Sequence, residues 1–410
     1  MSGARRKIVV LGLISRMPYA GAVWWTLNYV VGLRNLGYDV YYVEAHGDTP
    51  DHFIGPGDDE GTENAAAFLD GVMRRFGLDG CWAYHALHDD GRCYGLSEEK
   101  LRRLYREAEL IVNLNGSTIP LPEHTETGRV VYVETDPVDI QIELHDGAQG
   151  TIDWLDMHCA HFTYAENYGA PDCGLPISGR FEYRPIRQPV VLDYWRTGAP
   201  PEREEFTTIA NYRQPFREVT LDGETYFWSK DREFLTFLEL PRHTGQRIEL
   251  ALSSYEPEDR RLLEANGWHV RDAGPVSEDA DVYRAYISGS RGEFTVAKDQ
   301  NVRLRTGWFS ERSACYLAAG RPVVTQDTGF GNILPTGEGL FAFSTLDEIL
   351  AAFDAINSDY ERHSRAAFEV AREYFDAEVV LTRFLDDLGL TAPRRSAARP
   401  ATALSGSEIP

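Results

Sequence analysis

The sequence predicts an α/β protein built from two Rossmann-like, doubly wound domains that face each other across a cleft. Three observations predict this class. Short β-branched runs alternate with segments of helical spacing, and this alternation restarts once, after residue 206. The chain of 410 residues is also too long for one core of ordinary size, so we expect two domains of roughly 200 residues each.

The first domain is predicted over residues 1–195. The run KIVVLGLI at 7–14 is typical of a buried parallel strand, and the segment 22–37 has helical spacing and ends at a glycine. The chain returns as a strand at 38–45, and this β–α–β order opens a doubly wound sheet. Further strands are predicted at 109–116, 129–137 and 161–167.

The second domain is predicted over residues 206–375, after a linker rich in proline and charge at 194–206. Its predicted strands and helices alternate, with strands at 206–212, 247–254, 268–274, 293–298 and 322–327 and helices at 229–240, 258–267, 311–320 and 345–356. Thr345 and Glu348 have the spacing of a capping box. We expect a last helix at 376–390 that can cross back to the first domain, and a disordered tail at 391–410.

Composition restricts the partners of this chain. Its formal net charge of −23 creates a field that repels nucleic acid and anionic membrane surfaces, so we expect neither as a general partner. Five scattered cysteines without a CxxC motif favour reduced thiols. No run approaches the roughly 20 apolar residues that span a bilayer. The sequence predicts a cytoplasmic protein without stable membrane insertion, and it carries no signal for an oligomeric state.

The stretch GWFSERSACYLAAGRPVVTQDTGFG at 307–331 is typical of a glycine loop, a short helix, a buried strand and a second glycine loop. Ser310 stands at the predicted N-cap, and the free amides and dipole of that helix end favour an anion. Between Lys298 and Arg321 there are five basic residues and two acidic ones, which reverses the sign of the chain locally. This pattern predicts an anion site, although a solvated basic face and a purely structural cap remain the alternative.

The same stretch, with LPTGEGLFAF after it, resembles the C-terminal donor-binding region of GT-B glycosyltransferases of the group 1/4 type. The segment YAGAVWWTLNYVVGLRNLGYDVYYVE likewise resembles the start of their N-terminal domain. The resemblance implies transfer of a sugar from a nucleoside-diphosphate sugar, such as a UDP- or dTDP-sugar, to a hydroxyl of a small-molecule acceptor. It also implies that the second domain holds most of the donor, that the first holds the acceptor, and that neither a metal nor another cofactor is required.

The resemblance also assigns donor-binding roles to individual residues. They are Arg213 and Lys298 at the diphosphate, Ser310, Glu311 and Arg312 from phosphate to sugar, Asp327, Thr328 and Gly329 at donor hydroxyls or phosphate, and Gly21 where the first domain approaches the donor. Many retaining members carry two glutamates at places that Gly307 and Cys315 take here, so the stereochemical outcome stays open. For each residue, a salt bridge or a turn remains the alternative role.

Glycosyl transfer with inversion requires a general base near the acceptor hydroxyl. Asp136 in VETDP is our first candidate because it follows the carboxyl end of a predicted strand, although it can instead cap the turn before Pro137. The other candidates are His124, His145, His158 and His161. The HCAH segment lacks a clear third and fourth ligand, so no metal site is predicted.

Two other functions are compatible with this sequence: a nucleotide-sugar epimerase on the same twin-domain plan, and a non-catalytic GT-B protein that acts on a partner. A dinucleotide oxidoreductase is disfavoured, because LGLISRMPYAG lacks the G-x-G-x-x-G fingerprint after the first strand. Three aromatics in TYFWSKDREF at 225–234 open a predicted helix beside the cleft, where ring stacking on a ligand and core packing are both possible roles.

Overall fold

A computed structural model describes residues 6–55 and 60–391 of the chain. The disorder predicted for the tail therefore concerns residues outside the described part, apart from Thr391. We refer to residues 6–195 as the first domain and to residues 206–375 as the second domain. Within the described residues, no helix has both the length and the apolar character needed to cross a bilayer.

The first domain contains an eight-stranded sheet. Its strands are β1 (Lys7–Leu11), β2 (Asp39–Glu44), β3 (Trp82–His85), β4 (Cys93–Gly95), β5 (Leu110–Leu114), β6 (Val130–Glu134), β7 (Ala160–Thr163) and β8 (Tyr183–Pro185). The strand order is β4-β3-β2-β1-β5-β6-β7-β8. Every neighbouring pair is parallel except β3 and β4. The central six strands follow the 3-2-1-4-5-6 order of a doubly wound sheet.

The second domain repeats this order in a six-stranded sheet and adds a two-stranded hairpin. Its strands are β9 (Phe206–Asn211), β10 (Val219–Leu221), β11 (Glu224–Tyr226), β12 (Ile248–Ser253), β13 (His269–Asp272), β14 (Gly292–Thr295), β15 (Val323–Gln326) and β16 (Leu340–Phe343). The sheet order is β13-β12-β9-β14-β15-β16, all parallel, and β10 pairs with β11 antiparallel. The predicted fold class of two Rossmann-like domains is therefore confirmed.

Helices cover both sheets. In the first domain they are α1 (Ala20–Asn35), α2 (Thr62–Arg75), α3 (Glu98–Glu107), α4 (Pro122–Thr125), α5 (Asp139–His145) and α6 (Gln149–Leu155). After it come α7 (Asp231–Thr236), α8 (Leu240–His243), α9 (Pro257–Ala265), α10 (Gly274–Ser277), α11 (Ala280–Gly289), α12 (Asp299–Arg303), α13 (Glu311–Ala318), α14 (Leu346–Ser358), α15 (Tyr360–Val370) and α16 (Ala377–Asp387). A π-turn, Ala371–Phe375, joins α15 to α16, and short 3₁₀ turns lie at Asp51–Phe53, Leu192–Tyr194 and Phe330–Asn332.

Local chemistry explains why some predicted elements are found and others differ. The capping box before α14 is confirmed, since the Thr345 hydroxyl accepts from the Glu348 amide at 3.3 Å and the Glu348 carboxylate accepts from the Thr345 amide at 3.0 Å. The strand predicted at 161–167 ends at Thr163. The helix predicted at 229–240 ends at Thr236, and a separate turn of helix follows at Leu240–His243.

The sequence analysis missed the hairpin β10–β11, although the sequence carries a signal for it. Asp222 and Gly223 form its two-residue turn with φ of 52° and 83°, and Asp-Gly is a preferred pair for such a turn. It also missed β3, β4 and β16 and the helices α2, α3 and α11. The strands among them have only three or four residues each, too short for a clear period of two.

The two domains are in contact through helices as well as loops. α16 packs on α1, where a Cβ at Gly32 would lie 2.5 Å from Leu381 Cδ1, so the absence of a side chain permits the close approach. The Trp24 indole, also on α1, donates to the Ala280 carbonyl oxygen of α11 at 2.8 Å. These contacts fix the first helix of the chain against both the second domain and the C-terminal helix.

Candidate active site

The carboxyl ends of the second sheet face loops of the first domain. The Trp308 indole, just before α13, donates to the Thr135 carbonyl oxygen at 3.0 Å. Lys298, after β14, places its Nζ 3.2 Å from Asp136 Oδ1. Thr135 and Asp136 follow β6, so the carboxyl edges of both sheets meet here. The sequence-predicted anion stretch and the predicted base therefore lie on the same interface.

Two cations of the second domain stack on one indole at this interface. Lys298 Nζ lies 2.9 Å from the centroid of the Trp228 ring, and the Arg217 guanidinium carbon lies 4.2 Å from it. Arg217 also forms ion pairs with Asp139 at 2.5 Å and with Asp136 at 3.7 Å. The acidic turn of the first domain thus neutralises a pair of cations of the second. Burial lowers the pKa of Lys298 to about 8, although Asp136 acts in the opposite direction.

Lys230 is a further cation that the sequence analysis did not single out. It precedes α7, is 7% exposed, and donates from Nζ to the Val296 carbonyl oxygen at 2.8 Å. Within residues 6–55 and 60–391, no carboxylate forms an ion pair with it. Burial, together with the charges of Arg312 and Lys298, holds the pKa of Lys230 well below its usual range. The Glu293 carboxylate acts on this pKa in the opposite direction. An anion beside the Lys230 side chain would likewise favour its protonated form.

A small cavity lies beside Lys230, and α13 begins at its wall. The cavity is lined by Lys230, Ser310 and Thr328 together with Trp308 and Thr325. The Ser310 hydroxyl is at the N-cap but makes no capping hydrogen bond. No side chain or loop carbonyl of the described residues accepts from the first-turn amides at 311–313. The ammonium and these amides together form an anion-binding arrangement.

Two arginines that were predicted to contact the sugar donor are instead paired with carboxylates of the protein. Arg312 donates from Nε to Glu293 at 2.6 Å and from a terminal nitrogen to Thr295 Oγ1 at 3.0 Å, so it neutralises a fully buried glutamate. Arg213 binds both oxygens of Asp259 at 2.6 and 2.5 Å. The structure does not bring these two guanidiniums to the cavity as free donors. Their donor-binding roles remain predictions.

Asp327, Thr328 and Gly329 hold the second glycine loop against the first. Asp327 accepts from the Gly329 amide at 3.0 Å and pairs with Arg305 at 3.1 Å. The Thr328 hydroxyl donates to the Trp308 carbonyl oxygen at 2.6 Å. These bonds give the three residues a structural role, and Thr328 also lines the cavity.

Position 307 requires glycine because the backbone of the first domain lies very close to it. Its φ is 79°, and a Cβ there would lie 2.4 Å from the Asn167 backbone nitrogen. The Asn167 amide donates to the Thr306 carbonyl oxygen at 3.1 Å, which fixes the two backbones together. No side chain, a carboxylate included, fits at position 307 in this arrangement. Gly21 is less constrained, since its Cβ would meet Tyr283 Oη at 3.6 Å, an ordinary contact.

Glu311 is half-buried and contacts both domains. It accepts from the Cys315 thiol at 3.1 Å and from Asn28 Nδ2, on α1, at 3.4 Å. Burial raises the pKa of Glu311 to about 7, against its usual value of 4.5. This carboxyl therefore changes charge near neutral pH.

Of the four histidines that were alternative candidates for the general base, three are buried and one is exposed. Burial lowers the pKa values of His124 and His158 to about 4, so both are neutral. His124 packs on Tyr105 with ring centroids 4.5 Å apart, and His161 bonds through Nε2 to the Leu155 carbonyl oxygen at 3.0 Å. His145 ends α5 and is exposed. In the described part of the chain, no three His, Cys, Asp or Glu side chains are grouped so that they could hold a metal ion.

No protein-family model and no curated protein matches this sequence, whereas 125 solved chains match the structure. HepE from Anabaena, solved with UDP and glucose, is 12% identical with a TM-score of 0.55, covering 94% of this chain and 100% of that one. An α-glucosyltransferase solved with UDP is 11% identical with a TM-score of 0.56, covering 93% and 99%. Sucrose-phosphate synthase from Thermosynechococcus elongatus is 12% identical with a TM-score of 0.51, covering 94% and 99%. At these identities the likeness shows the fold.

We predict a pH-dependent effect of Glu311→Gln on the free energy of unfolding. Between about pH 4.5 and 7 the carboxyl is protonated in the folded chain and ionised in the unfolded one, so its contribution to stability falls as pH rises through this window. The variant should be nearly as stable as the wild type at pH 5 and roughly 2 kcal/mol more stable at pH 8. Urea unfolding at both pH values measures this difference.

Glu361→Gln serves as the control, because the side chain of Glu361 is 89% exposed. A stability difference between wild type and Glu311→Gln that is the same at pH 5 and pH 8 would contradict the assignment.

Proposed function

From the GT-B fold that this chain has, we propose that it is a glycosyltransferase that moves a sugar from a nucleoside-diphosphate sugar, a UDP-sugar, to a hydroxyl of a small molecule. The observation that carries this proposal is the cavity where the buried ammonium of Lys230 meets the first-turn amides of α13. That arrangement suits a phosphate oxygen. The UDP bound to HepE and to the α-glucosyltransferase supports the choice of donor.

The chemistry follows from the charges around the cavity. As the bond to the sugar breaks, negative charge develops on the departing diphosphate, and fixed donors stabilise it most where water is excluded. Lys230 and the α13 amides supply these donors, and Lys298 and Arg217 add positive charge beside them. Because these groups neutralise the leaving diphosphate, we propose that the reaction requires no metal ion.

Asp136 remains our candidate for the general base. Its ion pairs with two cations impose a condition on the order in which substrates bind. Its carboxylate is 3.2 Å from Lys298 and 3.7 Å from Arg217, so the two cations occupy the oxygens that would have to accept the proton. A diphosphate competes for the same cations and releases the carboxylate towards the first domain. We propose that donor binding therefore precedes activation of the acceptor.

The acceptor is proposed to be a small molecule held by the first domain. An α-glucosyltransferase with this fold has been solved with UDP and a 13-mer DNA, so the fold itself permits a nucleic-acid acceptor. Here the net charge of −23 disfavours a polyanion. The five cysteines are all free thiols, in keeping with the proposed cytoplasmic location.

Incubation with a panel of nucleotide sugars tests the proposal. Hydrolysis or transfer of the sugar supports a transferase, whereas an altered sugar that stays on its nucleotide would support an epimerase. Binding without turnover would support a non-catalytic partner protein. Failure of every nucleotide sugar to bind would contradict the donor site itself.

We predict that Lys230→Met raises the dissociation constant for UDP at least tenfold, because a hydrogen bond to a charged group contributes roughly 1.5–3 kcal/mol. Titration calorimetry measures this constant. Lys100→Met is the matched control, since Lys100 is exposed on α3 and is expected to leave UDP affinity unchanged. Equal UDP affinities for the two variants would rule out the cavity as the diphosphate site.

We predict that Asp136→Asn lowers kcat for the donor identified in the panel by at least about 100-fold, as expected on losing a general base. The dissociation constant for UDP should stay the same or fall, because the carboxylate no longer competes for Lys298. Asp139→Asn is the control: it removes the partner of Arg217 and should largely preserve kcat. A larger loss of kcat in Asp139→Asn than in Asp136→Asn would reject Asp136 as the base.

A further inference from the structure

A groove beside the linker between the domains contains arginines that the proposed reaction does not use. It has a volume of about 350 Å³ and is open to solvent. Linker residues 193–202 form one side, and α11 with Arg321 forms the other. Its charged lining residues are the cations Arg196, Arg284 and Arg321 and the carboxylates Asp193 and Glu202. In a chain of net charge −23, an excess of cations in one groove is unusual.

Arg321 is buried here without a counter-charge. It is 2% exposed, and its guanidinium donates to the carbonyl oxygens of Ser288 at 2.7 Å and Ala199 at 2.9 Å. Across the described ranges of the chain, no carboxylate forms an ion pair with it. Removing a cation from water is costly unless an opposite charge compensates it. An anion in the groove would lower that cost.

Arg284 is a second cation in the groove whose charge is incompletely neutralised. It donates to the Tyr194 carbonyl oxygen at 3.1 Å and lies 3.5 Å from one oxygen of Asp281. Arg75 takes the other oxygen of Asp281. Burial and the nearby charge of Arg75 both lower the pKa of Arg284. Arg75 also pairs with Asp279 at 2.9 Å, so the only carboxylate near Arg284 in the described residues is Asp281, at the longer distance of 3.5 Å.

A buried hydroxyl completes the groove. Ser288 is 9% exposed, lines the groove, and has no hydrogen-bond partner for its Oγ among the described residues. Its own backbone carbonyl oxygen accepts from the Arg321 guanidinium. A buried polar atom without a partner is uncommon in a folded protein. A ligand oxygen in the groove would satisfy it.

We propose that this linker groove binds a small phosphate-bearing anion through Arg284, Arg321 and the Ser288 hydroxyl. A phosphate offers several acceptor oxygens to the forked donors of a guanidinium, and its negative charge would compensate the positive charges of the two arginines. The exposed carboxylates of Asp193 and Glu202 disfavour an extended polyanion and leave room for a compact group. This site is separate from the cavity at Lys230, so it does not depend on the proposed transferase activity.

Calorimetric titration of the full chain with inorganic phosphate at constant ionic strength tests the groove. We expect Arg284→Gln to weaken this binding at least about tenfold and Ser288→Ala to weaken it about fivefold, with the circular dichroism of both variants unchanged. If Arg284→Gln does not fold, the affinity of Ser288→Ala for phosphate is the test. Lys230→Met should retain one phosphate with wild-type affinity, as should the control Arg261→Gln, whose side chain is 70% exposed.

Two results would overturn the proposal. One is the absence of phosphate binding by the wild type. The other is binding that Lys230→Met abolishes and that Arg284→Gln and Ser288→Ala leave intact, which would assign the phosphate to the cavity instead of the groove.

Discussion

The buried ammonium of Lys230 is the constraint on which the rest of the site depends. It lies at the carboxyl edge of a parallel sheet, close to Lys298 and Arg312, and the described residues offer it only a carbonyl oxygen. An uncompensated charge in such a place is costly to keep, and its cost falls when an anion binds. The α13 amides beside the same cavity favour the same kind of ligand. The electrostatics of these groups therefore supports the proposed diphosphate site by an argument separate from the fold.

The approach of the first domain imposes the second constraint. Backbone contacts at Gly307 leave no space for a Cβ, and Trp308 bonds across the interface. The acidic turn with Asp136 and Asp139 supplies counter-charge to Lys298 and Arg217. The same contacts hold the domains together and cover the cations. In the proposed complex, the phosphates of the donor therefore replace these protein carboxylates as partners of the cations.

The alternation of buried runs was enough to predict the twin-domain fold, and strand ends, a helix start and the resemblance to GT-B glycosyltransferases led to Asp136, Lys298 and Ser310 as site candidates. These features are local in sequence. The partners of Arg213 and Arg312 were not predictable, because Asp259 lies 46 residues from the first and Glu293 lies 19 residues from the second. Lys230 was missed since its burial depends on how its loop folds over β14.

The most direct test of this account is a crystal structure of the chain with bound UDP. The account predicts diphosphate oxygens within hydrogen-bond distance of Lys230 Nζ and of the amides at 311 and 312, with Lys298 turned from Asp136 towards the ligand. UDP bound elsewhere, with Lys230 still directed only at the Val296 carbonyl oxygen and the pair of Lys298 and Asp136 intact, would contradict it.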